Sequence, residues 1–230
     1  MKEELKRWTG VWLGIETTGS TGGAALVENG SVVAMKLFTA KAALSEKLLP
    51  GVSEILQEAG IQGSRLEGIA VSTGPGSFTG IRIGVSTAQG LSSGWNCGIV
   101  GVGTLRVLAA SAGPGVPVLV SARARKKEVF AAVYGSRGIF SDVLMEEGIY
   151  TAAAVEAAIG KLGTLEAVGS GRSVVTMPGN VTLLPKRADT PSPASVARLG
   201  REIAVSRGYD DFVKPMYMRD FRQKADTSVP

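Results

Sequence analysis

The chain has 230 residues, a formal net charge of +5 and a pI near 9.4, with 44% apolar and 20% charged residues, the make-up of a globular protein with a substantial core. It contains no histidine and a single cysteine, Cys97. This excludes a Ser-His-Asp triad, a Cys-His dyad, a histidine metal site, a thiolate zinc cluster and a disulfide framework. Carboxylate chemistry or a binding role remains. A lone cysteine fits a reducing compartment, charges of both signs over Met1–Arg7 do not fit a secretory leader, and no apolar run reaches spanning length. The cytoplasm is therefore expected, with no membrane contact.

In chain order, residues 12–17, 23–28 and 31–38 read as strands, the last two joined by a hairpin at Glu28-Asn29-Gly30. Residues 45–59 read as a helix, with Leu48, Leu49, Val52, Ile55, Leu56 and Ala59 near a 3.6-residue period and Pro50 removing one early backbone bond. A strand over 68–72, a helix over 77–93, a strand over 99–102 and a helix over 104–111 follow. Gly113-Pro114-Gly115-Val116-Pro117 breaks the pattern and marks the best domain boundary. Beyond it come strands at 118–122, 128–134 and 143–150, a helix at 152–159, strands at 166–168 and 181–184, and a helix at 192–207 with Ser192 and Pro193 as its cap and first residue. The order βββαβα thus occurs twice, in domains expected at 1–112 and 113–207, with a tail over 208–230 that packs back on the first. Such a duplication is the plan of the actin-like ATPase (ASKHA) α/β fold.

The most informative stretch is Ser72-Thr73-Gly74-Pro75-Gly76-Ser77-Phe78-Thr79-Gly80, continuing to Leu91. A dinucleotide fingerprint would place its third glycine one residue before Gly80, and no Gly-Lys-Ser follows as in a P-loop. Gly80, Gly84 and Ala88 share one helix face. Each interior glycine costs about 1 kcal/mol relative to alanine, so a close backbone contact must compensate, with this chain's own sheet or with another protein. The cationic run Arg123-Ala124-Arg125-Lys126-Lys127 and the scatter at Lys214, Arg219, Arg222 and Lys224 have no interleaved aromatics for base stacking. They read as solvated faces, with direct RNA binding a minor alternative.

Ser72–Gly84 with Ala88–Leu91 closely resembles the signature of the bacterial TsaB (YeaZ) family, and Gly14–Thr18, Ser45–Pro50, Ala122-Arg123 with Glu128–Phe130, and Pro215–Arg219 resemble its other motifs. The resemblance implies a non-catalytic paralogue of TsaD, the enzyme that threonylcarbamoylates the adenosine beside the anticodon of certain tRNAs. It implies docking on a TsaD-type transferase through helices 45–59 and 77–93, a homodimer through the same helices, a TsaE-type ATPase joining the pair, and tRNA met only through the complex. The docking residues so implied are Ser45, Leu48, Leu49, Val52, Ile55, Leu56, Gly80, Ile81, Gly84, Val85 and Ala88. No intrinsic cofactor or metal is expected. ATP or ADP belongs to the assembled complex, and Thr17, Thr18, Gly169, Ser170 and Gly171 form a vestigial nucleotide site.

Three residues depart from the family pattern: Glu16 replaces a usual aspartate, Leu44 a frequent histidine, and Ser121 an acidic residue. Carboxylates at positions 16 and 121 orient metal-bound phosphates in active members of the wider fold. Misplacement by about 1 Å can cost 10²-fold in rate, so negligible ATP hydrolysis is expected. The competing readings are an actin-like-fold phosphotransferase acting on a small acid or sugar, and a glycoprotease-like peptidase. The first lacks well-placed carboxylates and the second lacks a nucleophile–base pair.

Overall fold

The computed structural model describes residues 10–39, 44–124, 127–138 and 140–218; Met1–Arg7, Arg125, Lys126, Arg219, Arg222 and Lys224 lie outside them. The first half comprises β1 (Val11–Glu16), β2 (Thr21–Glu28), β3 (Ser31–Thr39), α1 (Leu44–Ala59), β4 (Leu66–Gly74), α2 (Phe78–Trp95), β5 (Gly98–Gly103) and α3 (Thr104–Ala109). The second comprises β6 (Val118–Arg123), β7 (Glu128–Tyr134), β8 (Val143–Thr151), α4 (Ala152–Ile159), β9 (Leu165–Val168), β10 (Val181–Leu183) and α5 (Pro193–Arg207). The sheets run β3-β2-β1-β4-β5 and β10-β9-β6-β7-β8. Read from the other edge, the second repeats the first, each with two antiparallel pairs followed by two parallel ones. This is the duplicated actin-like plan.

Local chemistry explains the elements. Asn29 and Gly30 both take positive φ, 50° and 78°, as the two-residue hairpin requires. Ser77 caps α2 by accepting from Gly80 N–H at 3.2 Å, and Thr151 caps α4 by accepting from Ala154 N–H at 3.3 Å. The first sheet is buried on both faces, so its central strands are apolar without alternation. Leu13, Ile15, Ile69 and Val71 pack under α1 and α2, while Trp12, Ala25, Ala70 and Val100 pack under α5.

Two sequence expectations need correction. First, the segment after β9 forms only a 3-10 turn at Ser170–Ser173, so the second half lacks a counterpart of α2. Second, α5, grouped by sequence with the second half, covers the first sheet. Glycines permit it: a Cβ at Gly14 would collide with the Pro193 carbonyl, and one at Gly200 with the Ala70 Cβ. Conversely Leu105, Leu108, Ala109 and Ala112 join Val118, Val120 and Tyr134 in the second core. The two halves are therefore cross-braced, and a cut at 112/113 passes through a shared core. After α5 the chain returns along the first half, where Asp210 N–H donates to the Ile99 carbonyl and Met216 N–H to the Thr73 carbonyl, at 2.9 and 2.8 Å.

Replacing Gly200 with valine should lower stability by about 1–3 kcal/mol through overpacking against Ala70. Urea denaturation measures this, and an unchanged midpoint would show that α5 does not rest on that contact.

Candidate functional site

The turn after β1 gathers hydrogen bonds from several elements of the first half. Glu16, fully buried, accepts from the Thr18 N–H and hydroxyl, both at 2.6 Å, and from the Ser72 hydroxyl at the end of β4. Burial pushes its carboxyl above the ordinary value of 4.5, and the hydrogen bonds from Ser72 and Thr18 only partly offset this. The Thr18 hydroxyl also accepts from Thr104, the first residue of α3, at 3.2 Å. The Thr18 carbonyl accepts from Ser77 N–H, the cap of α2, at 2.8 Å. The carboxyl therefore faces inward and ties β1, β4, α2 and α3 together; it is not offered to a ligand.

The glycine face of α2 meets this same turn. A Cβ at Gly80 would strike the Thr17 carbonyl, and one at Gly84 the Thr17 hydroxyl. The compensating contact for these glycines is thus internal. Ile81, Val85 and Ala88 continue that face into the core, as do Leu48, Val52, Ile55 and Leu56 of α1. Nine of the eleven implied docking residues (Leu48, Val52, Ile55, Leu56, Gly80, Ile81, Gly84, Val85 and Ala88) are buried within the chain itself. Only Ser45 and Leu49 are exposed, Leu49 to 53%. On α2 the outer face carries Thr79, Arg82, Ser86, Gly90 and Gly94, and a Cβ at Gly90 or Gly94 would meet open space.

In the second half the Gly169–Gly171 turn sits directly on Ser121. A Cβ at Gly169 would strike the Ser121 carbonyl, and one at Gly171 would lie 2.7 Å from the Ser121 Cβ. Gly169 N–H donates to Asp189, which also pairs with Arg172, and the Ser170 hydroxyl accepts from Arg123 N–H. Two polar groups of this turn, the Gly169 N–H and the Ser170 hydroxyl, thus already have partners within the chain. Thr17 and Thr18 are buried, and the Thr18 hydroxyl is bonded to Glu16 and Thr104, whereas the buried hydroxyls of Thr17 and Ser121 have no hydrogen-bond partner among the described residues. A surface cavity of about 250 Å³ lies between α3 and the start of α5, lined by Val107, Ser111, Arg187, Ser192 and Ser195 among others, and none of the implied site residues borders it. Among the described residues no three His, Cys, Asp or Glu side chains converge, and no helix is long and apolar enough to cross a membrane. Sequence reasoning missed Ser72 and Thr104; the polar Ser72-Thr73 pair ending an apolar strand was the available signal.

Comparison with known proteins gives the geometry its context. Residues 38–182 match the family model for tRNA N6-adenosine threonylcarbamoyltransferase, TsaD. The tRNA threonylcarbamoyladenosine biosynthesis protein TsaB of Escherichia coli is 39% identical over 93 residues, which cover 39% of this chain and 40% of that protein. TsaB of Bacillus subtilis is 32% identical over 143 residues, covering 61% and 62%. The matched stretches thus span less than two thirds of either relative. Among solved structures, YeaZ from Pseudomonas aeruginosa superimposes with a TM-score of 0.71 at 22% identity, covering 91% of this chain and 100% of that one, which establishes a shared fold.

Two outcomes follow from the site. Gly80→Ala should destabilise by about 1–3 kcal/mol, whereas Gly90→Ala should stabilise by roughly 1 kcal/mol, since only the former meets a neighbour. Thermal melts of the two variants check the contrast. The raised Glu16 pKa means that the folded chain holds this proton more tightly than the unfolded chain does. Its contribution is complete at pH values below 4.5 and is lost as pH rises toward the folded value. The stability of wild type minus that of Glu16→Gln should fall over that interval, by at most about 1.4 kcal/mol per pH unit. A flat difference in urea titrations across pH would contradict the assignment.

Proposed function

Since the chain belongs to the tRNA N6-adenosine threonylcarbamoyltransferase (TsaD) family, and within it resembles the TsaB (YeaZ) proteins, we propose that it serves threonylcarbamoyladenosine formation in tRNA as a non-catalytic subunit that docks on a TsaD-type transferase. The observation that carries this reading is the division of α1 and α2 into two faces. Their inner faces are fixed by the sheet and by the Thr17–Thr18 turn, while their outer faces present Leu49, half-buried Ile83 and the bare Gly90 and Gly94. Docking uses these outer faces, with Ser45 and Leu49 retained from the residues implied by sequence. A helix pair from the transferase can approach α2 closely where no side chain intervenes, and an equivalent pair from a second copy can occupy the same face. Homodimer and heterodimer therefore exclude each other. A TsaE-type ATPase joins the assembled pair, nucleotide binds at that assembly, and tRNA is met through it.

The absence of catalysis rests on residues. Glu16 points into the sheet junction, Ser121 supplies no carboxylate, and the sequence has no histidine to act as a base or ligand near neutral pH. The phosphotransferase and peptidase readings have no better-placed groups.

Co-purification with a TsaD-type transferase, followed by reconstitution of tRNA modification, tests the proposal. Leu49→Glu and Gly90→Arg should each abolish the complex and the modification while leaving the circular dichroism spectrum unchanged, because both positions are exposed. A complex that survives both changes would place docking elsewhere.

A further inference from the structure

The outer stripe of α2 begins with an unusual side chain. Arg82 is the sole charged residue in this 18-residue helix, and Ser86, Gly90 and Gly94 follow it at four-residue intervals on the exposed face. Its guanidinium stacks on the Phe78 ring at 4.0 Å from the centroid, and its Nε donates to the Tyr217 hydroxyl at 2.9 Å. The two rings pack on each other with centroids 5.0 Å apart. Tyr217 is itself held in place, since the neighbouring Met216 N–H bonds to the Thr73 carbonyl. A long, flexible side chain is thus fixed by contacts from two separate segments, while its two terminal nitrogens have no partner among the described residues.

Resting on the docking reading above, we propose that Arg82, held by Phe78 and Tyr217, is the anchor of the docking face and takes a carboxylate of the partner transferase on its free guanidinium edge. A fixed planar fork suits bidentate pairing with a carboxylate, and its immobilisation before binding removes part of the entropy that a mobile arginine would lose on association. Arginine beside aromatic rings is also the composition of interface positions that dominate binding. A nucleic-acid backbone fits less well, because phosphate tracking relies on several cations acting together and α2 supplies one. The stripe beyond Arg82 carries no charge, so one acidic side chain at one end of the partner's contact helix satisfies the surface and sets its register.

Affinity for the TsaD-type transferase should be measured for wild type, Arg82→Gln, Arg82→Lys and Tyr217→Phe, with and without tRNA, and with melting curves as a folding control. Arg82→Gln should weaken binding by about 10-fold or more, mainly through faster dissociation. Arg82→Lys should lose most of the same increment because it lacks the fork, and Tyr217→Phe should weaken binding by roughly 2- to 5-fold although the charge stays. Wild-type affinity in Arg82→Gln or in Arg82→Lys would overturn the proposal. So would a defect that appears only when tRNA is present, which would make the ligand a phosphate. Failure of the wild type to bind the transferase would instead overturn the docking reading, and the anchor with it.

Discussion

The structure depends on one junction, the turn after β1 with its buried carboxyl. A carboxyl group removed from water is costly unless its oxygens are satisfied, and Glu16 obtains three donors only if Thr18 and Ser72 stand where they do. With Thr18 fixed, its carbonyl receives the cap of α2 and its hydroxyl receives the first residue of α3. Thr17 then sits where only glycine can occupy positions 80 and 84. The extra methylene of Glu16 relative to aspartate is consistent with this inward reach. The Glu16 carboxyl is thus a structural tie between the β1 turn and β4.

The rest of the architecture braces that junction. The halves are joined through exchanged helices, α3 carrying Leu105 and Leu108 into the second core and α5 covering the first sheet. Arg106 on α3 stacks on Tyr134 at 3.7 Å and donates to the Gly138 and Ser141 carbonyls at 3.2 Å, so α3 is also fastened to the β7–β8 hairpin. The returning segment adds a strap through Asp210 and Met216. Burial disfavours ionisation of Asp210, but hydrogen bonds from Arg207 and Gly101 outweigh it and keep the carboxyl below its ordinary value. Relative motion of the halves would have to draw α3 out of one of the two cores it enters, the first through Val107 and the second through Leu105 and Leu108.

Much of this was legible in the sequence because it is local. Strand and helix order, the Asn29-Gly30 hairpin and the Ser77 cap follow from periodicity and turn chemistry, and the repeat of the order gave the fold. What could not be read is which surface a pattern faces. The run Leu48, Val52, Ile55, Leu56 announces a buried stripe, and burial by the chain's own sheet looks the same in sequence as burial by a partner. The eighth residue of α5, Gly200, signals a close approach without naming Ala70 of β4 as its neighbour, because that contact spans 130 positions (200 minus 70). Glu16 could be seen as displaced, but its inward direction depends on Ser72, 56 residues away.

The two glycine sets on α2 show how structure separates what sequence merges. Gly80 and Gly84 are required by Thr17, and their helix cost of about 1 kcal/mol each is offset by that packing. Gly90 and Gly94 carry the same cost, yet no atom within 4 Å of a Cβ there requires it. Internal stability therefore gives no reason for these two residues. A backbone arriving from outside would, since a bare helix face allows interaxial approach below the usual 8–10 Å or so. On the docking reading, the same device that lets α2 lie close to its own turn is used again on the opposite face for the partner. Arg82 at the head of that stripe supplies the direction that uncharged small residues cannot.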